Sequence, residues 1–397
     1  MRDLIFISHR IAWPLNKGEK IRGWHVLEHL ARDYRIHFGC VVDDPADMAH
    51  VAKIQTVCAT VGAFPIDRQK QKLRALLRAR PGRPLMPDFY HSPALQRWVD
   101  ETMAREKIEV VYIFSVAMAP YAIGLDHPCK ILDAQDIDSE KWSEYAIKAK
   151  FPMKLVWARE GRTLLSYERA AAAACDWTFF VSQPEVDRFA ELAPEVAGKL
   201  VAIDNGVDLQ RFSPVDTYAS PYTDPAPRVV FTGNMDYWPN ADAVIWFAHD
   251  VLPKLRARIP GCAFWIVGAN PIEEVRALGF MPGISVTGRV EDVRPYVAHA
   301  SVIVCPLRIA RGIQNKVLEG MAMGKPVIAS PPAFEGVRAQ AGTELLVADG
   351  ADEFVARICE VLDGAHPGLG VAARAAMELG YAWDAVLGKM DGYLRQA

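Results

Sequence analysis

The chain has no Cys-x-x-Cys pair, no run of about 18 apolar residues and no large excess of either charge. Each absence removes a class of protein. Its seven cysteines (40, 58, 129, 175, 262, 305 and 359) are scattered and odd in number. Zinc sites and disulfide frameworks need recurring spacings, so neither is expected, and the thiols read as reduced and buried, as in the cytoplasm. Without a long apolar run, no helix is expected to span a membrane. Lys and Arg number 45 against 48 Asp and Glu, a net charge of −3, which gives no global case for a nucleic-acid partner. The apolar run that opens the chain, Leu4–Ser8, is too short for a signal peptide. No short repeat is visible. What remains is a chain of 397 residues, 51% hydrophobic and 23% charged. That is an ordinary globular composition, too long for one hydrophobic core, so two domains are expected.

The most informative stretch is Ser301 to Glu335. Val302-Ile303-Val304-Cys305 has the pattern of a buried strand, and Pro306 ends it. A loop with Arg308 and Arg311 leads through Gly312 into a helix over about Ile313 to Met323. Gly324-Lys325-Pro326 stops the helix, and Val327 to Ser330 reads as the next strand. In an open α/β sheet, ligands sit beyond the carboxyl ends of strands, where helix N-termini point free N–H groups at anions. Arg311, Asn315 and Glu319 recur every four residues along one side of this helix. Lys316 and Glu319 have two readings. They are a solvated i, i+3 pair, or a cation for a diphosphate beside a carboxylate that accepts hydrogen bonds from two ribose hydroxyls. The second reading suits a nucleotide sugar.

The N-terminal half repeats the architecture. Leu4–Ser8 is a buried strand, followed by a loop ending at Lys17-Gly18 and a helix through about Arg32. This is a plain βα turn or a phosphate loop, with Lys17, Gly18, Lys20 and Arg22 as candidate contacts. Strands are expected at Ile36–Val42, Val110–Phe114, Lys130–Ala134 and Trp177–Ser182. Gln135, Asp136 and Asp138 follow one of them, so they face a cleft; Asp138-Ser139 also reads as a helix N-cap. Arg68 to Arg83 holds seven basic residues interleaved with Leu73, Leu76 and Leu77. It is either a solvated helix face or a peripheral patch for anionic lipid at the inner face of a membrane. Asn205-Gly206-Val207-Asp208 is a turn, and the prolines at 214, 221, 225 and 227 mark a linker. Arg228–Thr232, Ala263–Gly268 and Ile284–Val290 open the second half.

Gly312-Ile313-Gln314-Asn315-Lys316-Val317-Leu318-Glu319, with Gly324-Lys325-Pro326-Val327, resembles the donor-site signature of the family 4 (group 1) glycosyltransferases. The run around Asn205-Gly206-Val207-Asp208 to Phe212-Ser213-Pro214 resembles their interdomain hallmark. The likeness covers nearly the whole chain. It implies an α/β GT-B fold, two Rossmann-like domains facing across a cleft with a C-terminal helix crossing back to the N-domain. The implied division is 1–200 for an acceptor domain, 201–227 for a hinge, 228–375 for a nucleotide-sugar domain and 376–397 for the returning helix. It implies a retaining, metal-independent enzyme with no cofactor. The implied substrates are a nucleotide diphosphate sugar and a glycan or polyprenyl-linked acceptor. Glu319 then holds the ribose, while Lys316, Lys17 and Gly18 meet phosphate. Gly233, Asn234, Gly288, Arg289, Gly312, Ile313 and Asn315 line the donor site. Gln135, Asp136, Asp138 and Glu335 stand near sugar or acceptor, and Lys316, Glu319, Arg311 and Asp136 form the catalytic set.

Three departures stand out. Arg311 replaces the family's first Glu. Gln135-Asp136 replaces its His-Asp pair. Asn234 and Pro239-Asn240 replace the Arg and Lys that usually neutralise the diphosphate, which leaves that charge to Lys316 with Arg308, Arg311 or N-domain lysines. Gly233–Asn240, Pro306–Lys316 and Asp136–Trp142 resemble the sugar transferases of exopolysaccharide and PEP-CTERM/exosortase loci. The rival readings are another GT-B activity, such as an epimerase or phosphorylase, and a degenerate homologue that scaffolds a polysaccharide complex.

Overall fold

A computed structural model describes residues 1–126, 129–215, 217–310 and 312–395. The chain divides into two compact units, one of 1–204 with 387–397, the other of 205–386. In the first unit seven strands run in chain order: β1 (Arg2–Ser8), β2 (Tyr34–Val42), β3 (Thr60–Pro65), β4 (Ile108–Phe114), β5 (Lys130–Gln135), β6 (Trp177–Phe180) and β7 (Leu200–Ala202). They form one sheet in the order β3-β2-β1-β4-β5-β6-β7, with every pairing parallel. Parallel strands with helices on both faces are buried on both faces. This is why β1 and β4 read as near-continuous apolar runs rather than alternating ones. Phe6, Phe38 and Tyr112 stand side by side in register, and Phe6 stacks on Tyr112 with centroids 4.9 Å apart. Gly39 and Gly62 are partners across β2 and β3. A Cβ on Gly39 would lie 2.4 Å from the Trp98 ring and one on Gly62 2.9 Å from it, so this glycine pair lets the helix Pro93–Arg105 settle on the sheet.

The second unit has six parallel strands: β8 (Arg228–Thr232), β9 (Ala263–Val267), β10 (Ile284–Gly288), β11 (Val302–Cys305), β12 (Val327–Ala329) and β13 (Leu346–Val347). Their order is β10-β9-β8-β11-β12-β13, the doubly wound arrangement of a Rossmann domain. The strand order reverses between β1 and β4 in one sheet and between β8 and β11 in the other. Ligand sites of such sheets lie at the carboxyl ends of the strands at that reversal. Among the described residues, no helix is long and apolar enough to cross a membrane.

Two residues expected at a phosphate loop are structural instead. Arg22, on the helix Gly18–Leu30, is 1% exposed. Its Nε donates to both oxygens of Asp133 at 3.1 and 2.9 Å, and Nη1 donates to the Ile203 carbonyl at 2.9 Å. The Tyr112 hydroxyl donates to Asp133 at 2.7 Å. Lys20 is buried with its Nζ 2.7 Å from Asp47. Neither cation is free for a ligand. Removing one partner of a buried ion pair strands the other charge and costs about 3–5 kcal/mol. Arg22→Met is therefore expected to lower unfolding stability by that amount in chemical denaturation, more than Lys17→Met on the exposed loop, which should change it by less than about 0.5 kcal/mol.

Candidate functional site

The second unit gathers its expected site residues at one edge. Gly233 and Asn234 follow β8, Gly288 and Arg289 end and follow β10, and Gly312 to Glu319 follow β11. Glu335 comes after β12, exposed at the end of the short helix Pro331–Phe334. Each lies beyond the carboxyl end of its strand. The loop after β8 is pinned to the neighbouring strand. Gly233 N–H donates to Val267 and Met235 N–H to Ala269. A Cβ at Gly268 (φ +153°) would fall 1.7 Å from the Gly233 carbonyl oxygen, so only glycine permits this approach. The Asn270 amide donates to Asn234 Oδ1 at 3.2 Å, and the Asn240 amide donates to the Asn234 carbonyl at 2.9 Å. Both asparagines therefore build the loop. Arg308, expected to assist with charge, is clamped on Asp242, its Nε 2.9 Å from Oδ2. Arg311 lies outside the described residues.

The helix Asn315–Ala322 starts one turn after Gly312, whose φ of +61° turns the chain into it. Val317, Leu318, Met321 and Ala322 bury its apolar side. Its far end is held by Arg374, whose Nη1 donates to the Ala322 carbonyl at 2.8 Å and to Phe212 at 2.7 Å. Ser330 Oγ donates to the Leu307 carbonyl at 2.6 Å, tying the end of β12 to the loop after β11. Lys316 is half-buried with its ammonium 5.4 Å from the centroid of the Phe231 ring, at the reversal between β8 and β11. Burial lowers its pKa, and the same burial pushes Glu319, one turn on, up to about 7 despite the opposing charges of Lys316 and Arg211. Asn315 Oδ1 is buried without a hydrogen-bond partner. A cation, a carboxyl and an amide, each poorly satisfied, thus share the first turns of one helix.

In the first unit, Lys17 and Gly18 are exposed at the start of the helix after β1. Gln135 ends β5 in a left-handed conformation (φ +71°), and half-buried Asp136 follows it. The next turn rests on acids: Ile137 N–H donates to Glu185 at 2.8 Å and Ser139 N–H to Glu168 at 3.1 Å. Asp138 is therefore not an N-cap acceptor; it is the first residue of the helix. Burial raises its pKa, and burial with Asp138 beside it pushes Glu168 up to about 8. A further cluster at the ends of β1 and β2 escapes sequence inspection. Arg10 pairs with Glu19 and, at 3.2 Å, with Asp43. His9 is pushed down to about 4 by burial, its Nδ1 without a partner. Nothing along the chain signals it, because the partners of Arg10 lie 9 and 33 residues away.

Asp3, His37 and Glu106 are the one group of metal-type side chains among the described residues. They lie at the opposite end of the sheet, where Arg35 already bonds Asp3 at 2.5 Å and Glu106 at 2.7 Å. Ion pairs with Arg35 account for the two carboxylates standing together.

Glu319 gives a test. An unfolded glutamate titrates near 4.5, and the folded one near 7, so the folded chain binds the extra proton between those values. This group's contribution to stability is unpenalised below about pH 4.5, falls as pH rises to about 7, and stays low above it. Glu319→Gln removes the penalty. The variant is expected to gain about 1–3 kcal/mol over the native chain at pH 8 and almost nothing at pH 4.5, read by denaturant titration at both pH values.

Residues 226–364 match a family model described as glycosyl transferases group 1. Over 252 residues the chain is 29% identical to a GDP-mannose-dependent alpha-(1-6)-phosphatidylinositol monomannoside mannosyltransferase of Mycobacterium tuberculosis, covering 55% of this chain and 62% of that protein. The match thus spans less than two-thirds of the relative's length. Among solved structures, sucrose-phosphate synthase from Thermosynechococcus elongatus superposes with a TM-score of 0.72 at 16% identity, covering 100% of this chain and 99% of the other. HepE of Anabaena in complex with UDP and glucose gives 0.68 at 14% identity, covering 100% of both chains. Residues 226–364 thus carry the sequence features of the group 1 glycosyl transferases, in a chain whose two Rossmann-like α/β units have the GT-B fold.

Proposed function

We propose that this chain is a retaining glycosyltransferase that moves a sugar from a nucleotide diphosphate sugar to a hydroxyl of a glycan or polyprenyl-linked acceptor. The observation that carries this reading is the pair Lys316 and Glu319 on the helix at the β8/β11 reversal. Lys316 is a cation held over an aromatic ring, with burial disfavouring its charge, and a bound diphosphate would restore that charge. Glu319 is a carboxyl that burial keeps near neutrality, and two ribose hydroxyls donating to it would favour its ionised form. Asn315 offers a buried, unmet acceptor one residue before Lys316.

In the reaction, the bond from the anomeric carbon to the diphosphate oxygen breaks as the acceptor oxygen bonds that carbon on the same face. The acceptor's proton passes to the departing diphosphate. Lys316 and the free N–H groups at the helix start stabilise the growing charge there, so no metal is called on. Gln135 and Asp136 are assigned to the sugar and acceptor side, and Lys17 and Gly18 to phosphate. The mycobacterial relative is named for GDP-mannose and a lipid-borne acceptor, and HepE holds UDP, so both bases belong in a test. The stretches 233–240, 306–316 and 136–142 favour a role in exopolysaccharide assembly of the PEP-CTERM/exosortase-associated kind.

Calorimetry with UDP, GDP, ADP and their sugars provides the test. A donor at 100 times its dissociation constant is expected to stabilise the native chain by about 2.7 kcal/mol, with release of nucleoside diphosphate once an acceptor glycan is added. Lys316→Ala should weaken the donor by about 1.5–3 kcal/mol, the worth of one charge-assisted contact. Binding of the native donor should strengthen as pH rises through about 7, and Glu319→Gln should lose that dependence. A chain that binds a nucleotide sugar yet never turns it over with any acceptor would favour the scaffold reading, for which Arg311 in place of the first Glu, and the Arg and Lys missing from the loop at Asn234 and Pro239-Asn240, are the motive.

A further inference from the structure

The first unit contains a pocket of about 390 Å³ whose polar lining is Asp67, Lys70, Gln71, Arg74, His91 and Ser92, two cations against one carboxylate. It lies on the helix Arg68–Leu77, beside the end of β3. The helix has no acidic residue, and Asp67 caps its start, accepting from Gln69 and Lys70 N–H at 2.9 and 3.1 Å. Gln71 is buried and donates to the His91 carbonyl at 2.8 Å, which fixes the pocket wall. Lys70 lies 3.8 Å from Asp67, while Arg74 has no carboxylate partner among the described residues. The chain as a whole carries a net charge of −3, so this concentration of cations is local.

The same helix exposes Leu73 (59%), Leu76 (60%) and Leu77 (78%). On an α-helix Leu73 and Leu77 fall on one line, and Lys70 and Arg74 on the adjacent one. The leucine stripe therefore borders the cationic rim of the pocket. Lys72 and Arg80 flank it without ion-pair partners among the described residues, whereas Arg78 and Arg83 are drawn inward by Asp88 at 3.5 and 2.6 Å. The neighbouring helix Met153–Ala173 is tied to the end of this segment, since its Arg159 donates to the carbonyls of Arg80 and Arg83 at 2.6 and 3.0 Å; Phe151 (80%) just before that helix and Leu155 (62%) within it are also exposed.

We propose that this face docks on an anionic bilayer, with the leucine stripe at the acyl boundary and the phosphate of a lipid headgroup seated in the pocket between Lys70 and Arg74. The charge pattern selects the occupant. A protein partner would cover the leucines but gives no reason for a concave cationic pocket beside them. A bilayer offers both, an apolar layer and a plane of phosphates a few ångströms above it. His91 supplies a neutral ring to the pocket, since burial and then Arg74 lower its pKa. The proposal does not depend on which sugar the chain transfers, or on its transferring one.

Sedimentation of the full chain with vesicles tests it. Binding is expected to vesicles of phosphatidylcholine mixed with phosphatidylglycerol, and to be at least about tenfold weaker to phosphatidylcholine alone. Lys70→Ala with Arg74→Ala should cost about 30-fold in partitioning, two surface cations' worth. Lys72→Ala with Arg80→Ala removes equal charge outside the pocket and should cost distinctly less. Leu73→Ser with Leu77→Ser should weaken binding without changing the circular dichroism of the chain. Equal losses for the two charge variants would overturn the pocket. Absence of vesicle binding, with inorganic phosphate still protecting the chain against heating through Lys70 and Arg74, would overturn the lipid source.

Discussion

Much of the first unit hangs on the ion pair between Arg22 and Asp133. The two residues are 111 apart in sequence, and both are sealed from water. A guanidinium in such a place is tolerable only if its charge is met and its donors are used. Two bonds from Nε to the carboxylate meet the charge, Nη1 is used on the Ile203 carbonyl, and Tyr112 donates to the same acid. The pair thus joins the first helix, two central strands and the last residues of the unit's main segment. Its consequence for function is positional. Gly18 lies four residues before Arg22 and Gln135 two residues after Asp133. The loop assigned to phosphate and the turn assigned to sugar are therefore fixed relative to each other by one buried contact.

Both units leave some polar groups poorly matched at their strand ends. In the first, Arg10 pairs with Glu19 and Asp43 and the backbone of the 137–139 turn is met by Glu185 and Glu168, yet burial pushes Glu168 up to about 8 and His9 Nδ1 has no partner. At the strand ends of the second, Arg308 is spent on Asp242 and the asparagines on their own loop. Lys316, Glu319 and Asn315 are left poorly matched. Unsatisfied groups cost stability, and in a stable fold they concentrate where a ligand will meet them.

Most strands were legible because parallel sheets buried on both faces need unbroken apolar runs, whereas the edge strands Thr60–Pro65 and Leu346–Val347 were not read. β8 is found at Arg228–Thr232 as read, and most other strands differ by one or two residues at their ends. The helix carrying Lys316 begins at Asn315 rather than Ile313, because the left-handed Gly312 and the extended cap residue Gln314 come before its first turn. What the sequence did not disclose was the allotment of side chains. Lys20 and Arg22 resemble phosphate ligands beside a glycine loop, and only their partners, 27 and 111 residues away, reveal them as structural. Asn234 likewise stands where a cation is usual, yet its bonds to Asn270 and Asn240 are invisible along the chain. The pocket at Lys70 and Arg74 needed the fold as well, since His91 and Ser92 reach it from another segment.

The shifts at Lys316 and Glu319 bear on how a donor site can work with fewer cations than usual. In the free chain burial moves the two groups toward each other, the lysine down and the carboxyl up, so the pair carries less charge than its residues would in water. On the function proposed above, a nucleotide diphosphate sugar would reverse both shifts at once, its phosphates favouring the ammonium and its ribose hydroxyls the carboxylate. Each reversal strengthens the other, because Lys316 and Glu319 lie one turn apart and the charged form of either stabilises the charged form of its neighbour. A nucleoside or a diphosphate alone would charge only one partner. On that reading the arrangement would favour the intact nucleotide over its fragments, and would concentrate on one helix the electrostatic role that two further cations would otherwise share.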